Sequence, residues 1–320
     1  MDSRDYAFKA FGDAEHIYAT AHWAKSQTDA PLGIALAFHG GGFVVGSRNM
    51  LPMEQIEYLA NAGFVVVSAD YRLCPQVSLY EGPIQDAKDV YAWCKDCLPG
   101  LLKDDASLDV DPSRTVVFGH SAGGCLALHT GALQDPPRAI LDFYGVKCTT
   151  DPFWFSPLPA LAMIPSLDEE FINQVYKEPV SSNTMLSLER ATNTSNQPKT
   201  KGLPRPDLSV ARNAWLFVSL KEGTQLQAIV QDGDYKRIDP VNSFSDKFPP
   251  TFFIHGDADG MVIPKFSIEA NEKLRSLGVE TKILLPEGKS HGFDVGVEVD
   301  EPEFAPIRAG LDFLIEHAKL

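Results

Sequence analysis

Five short runs of almost uninterrupted apolar residues, at 34–38, 64–68, 115–118, 139–143 and 251–255, constrain this chain more than any other feature. A strand with one wet face alternates apolar and polar residues. Runs without alternation are buried on both faces. Helical patterns stand between them: Ile84, Ala87, Tyr91 and Cys94 recur at helical spacing over 84–98, and a further helix begins near Pro264. A last one, over 302–317, puts Phe304, Ile307, Leu311 and Leu314 on one face. Strand and helix in turn predict an α/β fold with a mostly parallel central sheet and helices on both faces. Two alternating stretches around Tyr6 and Tyr18, joined through Gly12-Asp13, read as an opening hairpin, and 282–285 as a late strand.

After Gly145 the pattern breaks. Residues 146–247 are rich in Pro, Ser and Asn and too long for a connecting loop, which predicts an inserted cap between two parts of the core, 1–145 and 248–320.

The run at 115–118 leads into Gly119-His120-Ser121-Ala122-Gly123-Gly124 and then an apolar helix. Glycines two residues either side of a serine suit a sharp strand-to-helix turn, where a Cβ would collide with neighbouring backbone. Such a turn lifts the Ser121 hydroxyl clear of the sheet and sets it at a helix N-terminus, where negative charge is favoured. The Ala122 N–H then becomes an oxyanion donor.

His39-Gly40-Gly41-Gly42-Phe43 follows the run at 34–38. Three glycines there lose conformational entropy on folding, so their expected use is close approach of peptide N–H groups to an anion. Gly41 and Gly42 are the expected donors beside Ala122, with His39 holding the loop by hydrogen bonding. No Lys-Ser/Thr follows and no G-x-G-x-x-G is present, which argues against a phosphate loop.

A serine hydroxyl needs a base, and the base a carboxylate to orient it. Asp259 and His291 lie in loops after late strands, where those partners are expected. Asp257 is the rival acid but stands nearer the strand end. His317 is expected to be exposed in the last helix, His255 belongs to the end of its strand, and the side chain of His120 should diverge from its neighbour's. Phe43, Phe153 and Trp154 are candidates for an acyl-binding wall, and the cluster Phe153 to Met163 reads equally well as the cap's own core.

A formal charge of −15 argues against nucleic acid and anionic membranes as partners and favours a small-molecule acyl substrate. No run is long enough for stable membrane insertion, and a homodimer is left open. Five cysteines without an export signal point to free thiols in a reducing compartment, with Cys94 and Cys97 read as packing. The Asn193-Thr194-Ser195 sequon means little without secretion. Ala318-Lys319-Leu320 resembles a peroxisomal address, which leaves peroxisome and cytoplasm as the expected locations.

Taken together, His39-Gly40-Gly41-Gly42, Asp70-Tyr71-Arg72-Leu73, the Ser121 turn, the Asp259 turn and Ser290-His291-Gly292-Phe293 resemble the hormone-sensitive-lipase-like branch of the α/β-hydrolase superfamily. The resemblance implies carboxylester hydrolysis through an acyl-enzyme, with no metal and no organic cofactor. That branch usually carries Asp where His120 stands, Asn where Cys125 stands, Ala-Pro-Glu where Cys74-Pro75-Gln76 stands, and an Asp-Pro-Leu acid turn. Three functions fit: a serine esterase acting on small or medium acyl esters or lactones, an acyl-transferring or thioester-cleaving enzyme of a biosynthetic route, and a non-catalytic small-molecule receptor such as the gibberellin receptors. An intact His291 weighs against the last.

Overall fold

A computed structural model describes residues 1–12, 15–25, 30–184, 201–202 and 206–319. The Asn193 sequon, Asp13 of the opening turn and Leu320 lie outside the described residues. Eight strands form one sheet: β1 (Asp2–Phe11), β2 (Glu15–Trp23), β3 (Leu32–Phe38), β4 (Phe64–Ala69), β5 (Val110–His120), β6 (Ile140–Phe143), β7 (Thr251–Ile254) and β8 (Thr281–Leu284). Their spatial order is β1-β2-β4-β3-β5-β6-β7-β8. The opening hairpin runs antiparallel and adds to β4, and every pair from β4 through β8 is parallel.

The unbroken apolar runs follow from burial on both faces. Along β3, Ile34, Leu36 and Phe38 point into one core cluster, while Ala35 and Ala37 point into the other. The first face is covered by α2 (Gln85–Asp96), α3 (Leu98–Ala106), α4 (Ala122–Thr130) and α8 (Lys265–Ser276), and the second by α1 (Met53–Asn61) and α9 (Ala305–His317). The helix expected over 84–98 ends at Asp96, and α3 begins at once with Pro99 near its start. Pro lacks an N–H and is tolerated only in a first turn, so the chain breaks there into a new helix. Cys94 is buried as expected, but the break leaves Cys97 exposed, and all five thiols are free.

Between β6 and β7, the described residues of 146–247 contribute no strand. They form short helices, among them α5 (Glu169–Ile172), α6 (Ala211–Glu222) and α7 (Gln225–Ile229). Trp154, Val175, Leu216, Leu226 and Ile238 join the same core cluster as β3 and α4. The described residues of the segment therefore share the sheet's own core. Among the described residues no helix is long and apolar enough to cross a membrane.

Candidate active site

From β3 the chain steps to β4 on one side, and from β4 it returns to β5 on the other side of β3. Connections that part in opposite directions open a crevice at the carboxyl ends of the two strands. Phe38 and Gly119 are register partners, so the Gly40–42 loop and the Ser121 turn leave the sheet side by side.

Ser121 sits at φ 55° and ψ −117°, a backbone state that costs a non-glycine residue about 1–3 kcal/mol and persists only where neighbours enforce it. The flanking glycines are what permit it. A Cβ on Gly119 would lie 2.1 Å from the Gly123 carbonyl oxygen, and one on Gly123 would lie 2.1 Å from that of Phe38. Gly124 lets α4 settle on the end of β6, where a Cβ would meet Asp142 Oδ1 at 2.2 Å. Ala122 opens α4, so its N–H is one of the first-turn donors that no helical carbonyl can satisfy.

The Ser121 hydroxyl donates to His291 Nε2 at 2.9 Å, and His291 Nδ1–H donates to Asp259 Oδ2 at 2.7 Å. Asp259 Oδ1 accepts the backbone N–H groups of Met261 and Val262 at 2.8 and 3.0 Å. Burial alone would raise this carboxyl, but hydrogen bonds from His255 and His291, reinforced by the His291 charge and the Val262 N–H, hold it well below the usual range. Asp257, the rival acid, is exposed and accepts the Gly288 N–H at 2.6 Å, its one hydrogen bond among the described residues to a side-chain oxygen.

In the glycine loop, each carbonyl that is held aims the N–H across its own peptide plane, because the two point in opposite directions. His39 Nδ1 bonds the Gly40 carbonyl at 2.6 Å, which orients the Gly41 N–H. The Val44 and Val45 N–H groups bond the Gly41 carbonyl at 3.0 Å, which orients the Gly42 N–H. Among the described residues neither glycine N–H has an acceptor of its own. Gly41 has φ 110°, and a Cβ there would lie 2.0 Å from the Val45 carbonyl oxygen. His39 is stacked on Tyr71 at 4.2 Å, and burial pushes its pKa down to about 4, so it holds the loop as a neutral ring.

Ser121 and His291 open on a cavity of about 150 Å³. Leu51, Val146, Leu216, Phe217 and Val262 make its wall apolar, and among the described residues no Lys or Arg lines it. Phe43 and Trp154 line it. Phe153 does not: it packs edge-on against Trp154 and Phe266 and faces a neighbouring cleft, because the Trp154 ring stands between it and the nucleophile's cavity. Met163 is 93% exposed and belongs to neither wall.

Two histidine expectations need correction or extension. His317 is buried, not exposed, because its Nδ1 bonds the Phe313 carbonyl one turn back at 2.8 Å and its ring packs on Phe313. His120 does diverge from Ser121, and it stacks on Phe143 with Nε2 3.0 Å from Asp294 Oδ2. Asp294 also accepts from Tyr144 and, at 2.8 Å, from Gln55. Sequence reasoning missed Asp294, although it lies three residues after His291 in the same loop. It also missed Gln225 and Arg212 of the inserted segment, which bond the carbonyls of Gly42 at 2.6 Å and Val44 at 3.1 Å.

The chain belongs to the α/β-hydrolase fold family, whose model matches residues 35–295, in agreement with the branch its motifs resemble. Over 95% of its length it is 29% identical to the non-reducing polyketide synthase pkbA of Emericella nidulans, and over 89% it is 31% identical to the non-reducing polyketide synthase ausA of Aspergillus calidoustus. It spans only 13% of either synthase. Among solved structures, a Staphylococcus aureus protein of unknown function superposes with TM-score 0.69 at 18% identity, covering 99% of this chain and 100% of that one. Thermogutta terrifontis esterase 2 phosphonylated by sarin gives TM-score 0.61 at 19% identity over 98% and 94% of the two chains.

Proposed function

We propose that this protein is a serine hydrolase that cleaves carboxylic esters through an acyl-enzyme, with Ser121 as nucleophile, His291 as general base and Asp259 as its orienting acid. The unbroken chain from Ser121 Oγ through His291 to Asp259, at 2.9 and 2.7 Å, carries the proposal. Ser121 Oγ attacks the ester carbonyl as its proton passes to His291 Nε2, and the buried Asp259 carboxylate stabilises the imidazolium formed. The N–H groups of Gly41, Gly42 and Ala122 bind the tetrahedral oxyanion, a task in which one donor is worth about two to three orders of magnitude in rate. Collapse breaks the bond to the leaving alkoxide, which takes the proton from His291. Water then repeats the sequence and releases the acid. The apolar side chains of Leu51, Val146, Leu216, Phe217 and Val262 favour an apolar acyl group, and a serine mechanism of this kind uses no cofactor.

A second reading is favoured by the relatives. This chain is similar to a part of polyketide synthases, and polyketide assembly is acyl-transfer chemistry, so the same serine would accept an acyl thioester and pass the acyl group to water or an alcohol.

The test is labelling with a fluorophosphonate, the chemistry that the phosphonylated esterase structure captured in that enzyme. One adduct is expected on Ser121, none in Ser121→Ala. No adduct on folded protein overturns the enzyme reading. Turnover of a p-nitrophenyl ester against an acyl thioester, with and without an alcohol acceptor, then separates the two readings.

A further inference from the structure

Behind Asp259 lies a second line of buried side chains that the mechanism above does not use. Lys147 and Asp142 are both fully buried, with Lys147 Nζ 2.7 Å from Asp142 Oδ2. Lys147 Nζ donates to the Gly145 carbonyl at 2.6 Å and to Ser267 Oγ at 3.0 Å. An ammonium group has three donors and no acceptor, so Ser267 Oγ must accept from it. Ser267 lies 2.7 Å from His255 Nδ1, and its one proton is directed there. His255 then carries its own proton on Nε2, which faces the Val262 carbonyl at 2.7 Å and Asp259 Oδ2 at 3.2 Å. The far end fixes the direction: the Val262 carbonyl can only accept, so Nε2 carries the proton, Nδ1 of a singly protonated ring accepts from Ser267, and the Ser267 oxygen is left to accept from Lys147.

We propose that Lys147, Ser267 and His255 are positioning residues that lock His255 as a neutral Nε2–H donor against the second face of the Asp259 carboxylate. This rests on the serine-hydrolase reading. His291 and His255 then compete for the same oxygen, and the donor from His255 tempers the basicity that Asp259 passes to His291. Other groups facing the pair are the Tyr144 ring, 4.6 Å from that of His291, and, behind Tyr144, Asp294 with His120. None of these changes when the relay is cut.

Three variants test the relay. Ser267→Ala removes the link to Lys147, His255→Met removes the donor, and His255→Gln keeps an N–H where Nε2 stood. With a donor lost, Asp259 becomes more basic and the His291 imidazolium more stable. The acidic limb of kcat/KM should therefore move to higher pH by about half a unit to one unit in Ser267→Ala and His255→Met, with kcat about 3–10-fold lower and KM within about twofold. His255→Gln should stay near wild type. ¹⁵N spectra of the wild-type histidines give a readout independent of turnover: His255 should carry its proton on Nε2. A proton on Nδ1, or an unmoved acidic limb in folded Ser267→Ala and His255→Met, overturns the relay. Failure of wild-type protein to react with a fluorophosphonate overturns the hydrolase reading instead and leaves the spectra to decide the tautomer.

Discussion

Exchange of Asp259 for asparagine should silence the site without unfolding it, for a reason that can be worked atom by atom. The two carboxylate oxygens are not equivalent. Oδ1 receives two backbone N–H groups, from Met261 and Val262. An amide nitrogen cannot stand against two fixed donors, so the asparagine oxygen must take the Oδ1 place and its NH₂ the Oδ2 place. There it faces His291 Nδ1, 2.7 Å away, with a donor. His291 has to answer by accepting at Nδ1 and moving its proton to Nε2, which then points at Ser121 Oγ as a donor and cannot take the hydroxyl proton. In a Ser-His-Asp site, this inversion of tautomer lowers kcat by about 10⁴.

The assay is p-nitrophenyl ester hydrolysis together with the rate of fluorophosphonate labelling, on protein whose circular dichroism and unfolding midpoint show it folded. Asp257→Asn is the matched control. Its Oδ1 can still accept the Gly288 N–H, so only an exposed charge is lost; surface changes of that kind cost at most about 0.5 kcal/mol, and activity should stay within about threefold. Asp259→Asn within tenfold of wild type, or a loss in Asp257→Asn as large as in Asp259→Asn, would refute the reasoning.

Two further outcomes follow from the same geometry. Gly41→Ala should lower kcat by about 10²–10³ with modest change in KM, because the new Cβ would strike the Val45 carbonyl and turn the loop's N–H groups out of line; steady-state kinetics on a short-chain ester check it, and near-wild-type kcat would remove Gly41 from the oxyanion site. Burial pushes the pKa of His22, His39 and His129 down to about 4, so at lower pH the unfolded chain binds protons that the folded chain refuses. Stability from these groups is full above about pH 6.5 and declines towards pH 4, and urea midpoints that stay flat over that window would contradict it.

What could be read from the sequence was whatever is decided locally. The Ser121 turn is legible because four steric constraints, the close contacts at Gly119, Gly123 and Gly124 and the positive φ of Ser121, fall within six residues. Asp259 and His291 are legible because parallel strands deliver their loops to one edge of the sheet, so position after a strand stands in for position in space. The cavity wall is a different matter. Leu216 and Gln225 come from a segment whose helices follow no long apolar period, and their places depend on how that segment seats on the core of β3 and α4. Phe153 and Trp154 are neighbours of the same chemistry, and only the packing of both rings on Phe266 decides which of them meets the nucleophile's cavity.

His120 shows the limit from the other side. Where the resembling branch carries an acid, this chain carries a base, and the compensating acid, Asp294, stands in the loop of the catalytic histidine. His120 and Asp294 form a buried contact whose carboxylate is supplied by the loop of the catalytic histidine. Asp294 is held by hydrogen bonds from Tyr144 and Gln55 while it faces His120, so the residues around the elbow fix its place from three sides. Each residue is therefore intelligible only through the other. The same holds for the line from Lys147 to Asp259, where direction passes from a group with no acceptor, through a hydroxyl that can face either way, to the one carboxylate that the proposed chemistry requires to stay ionised.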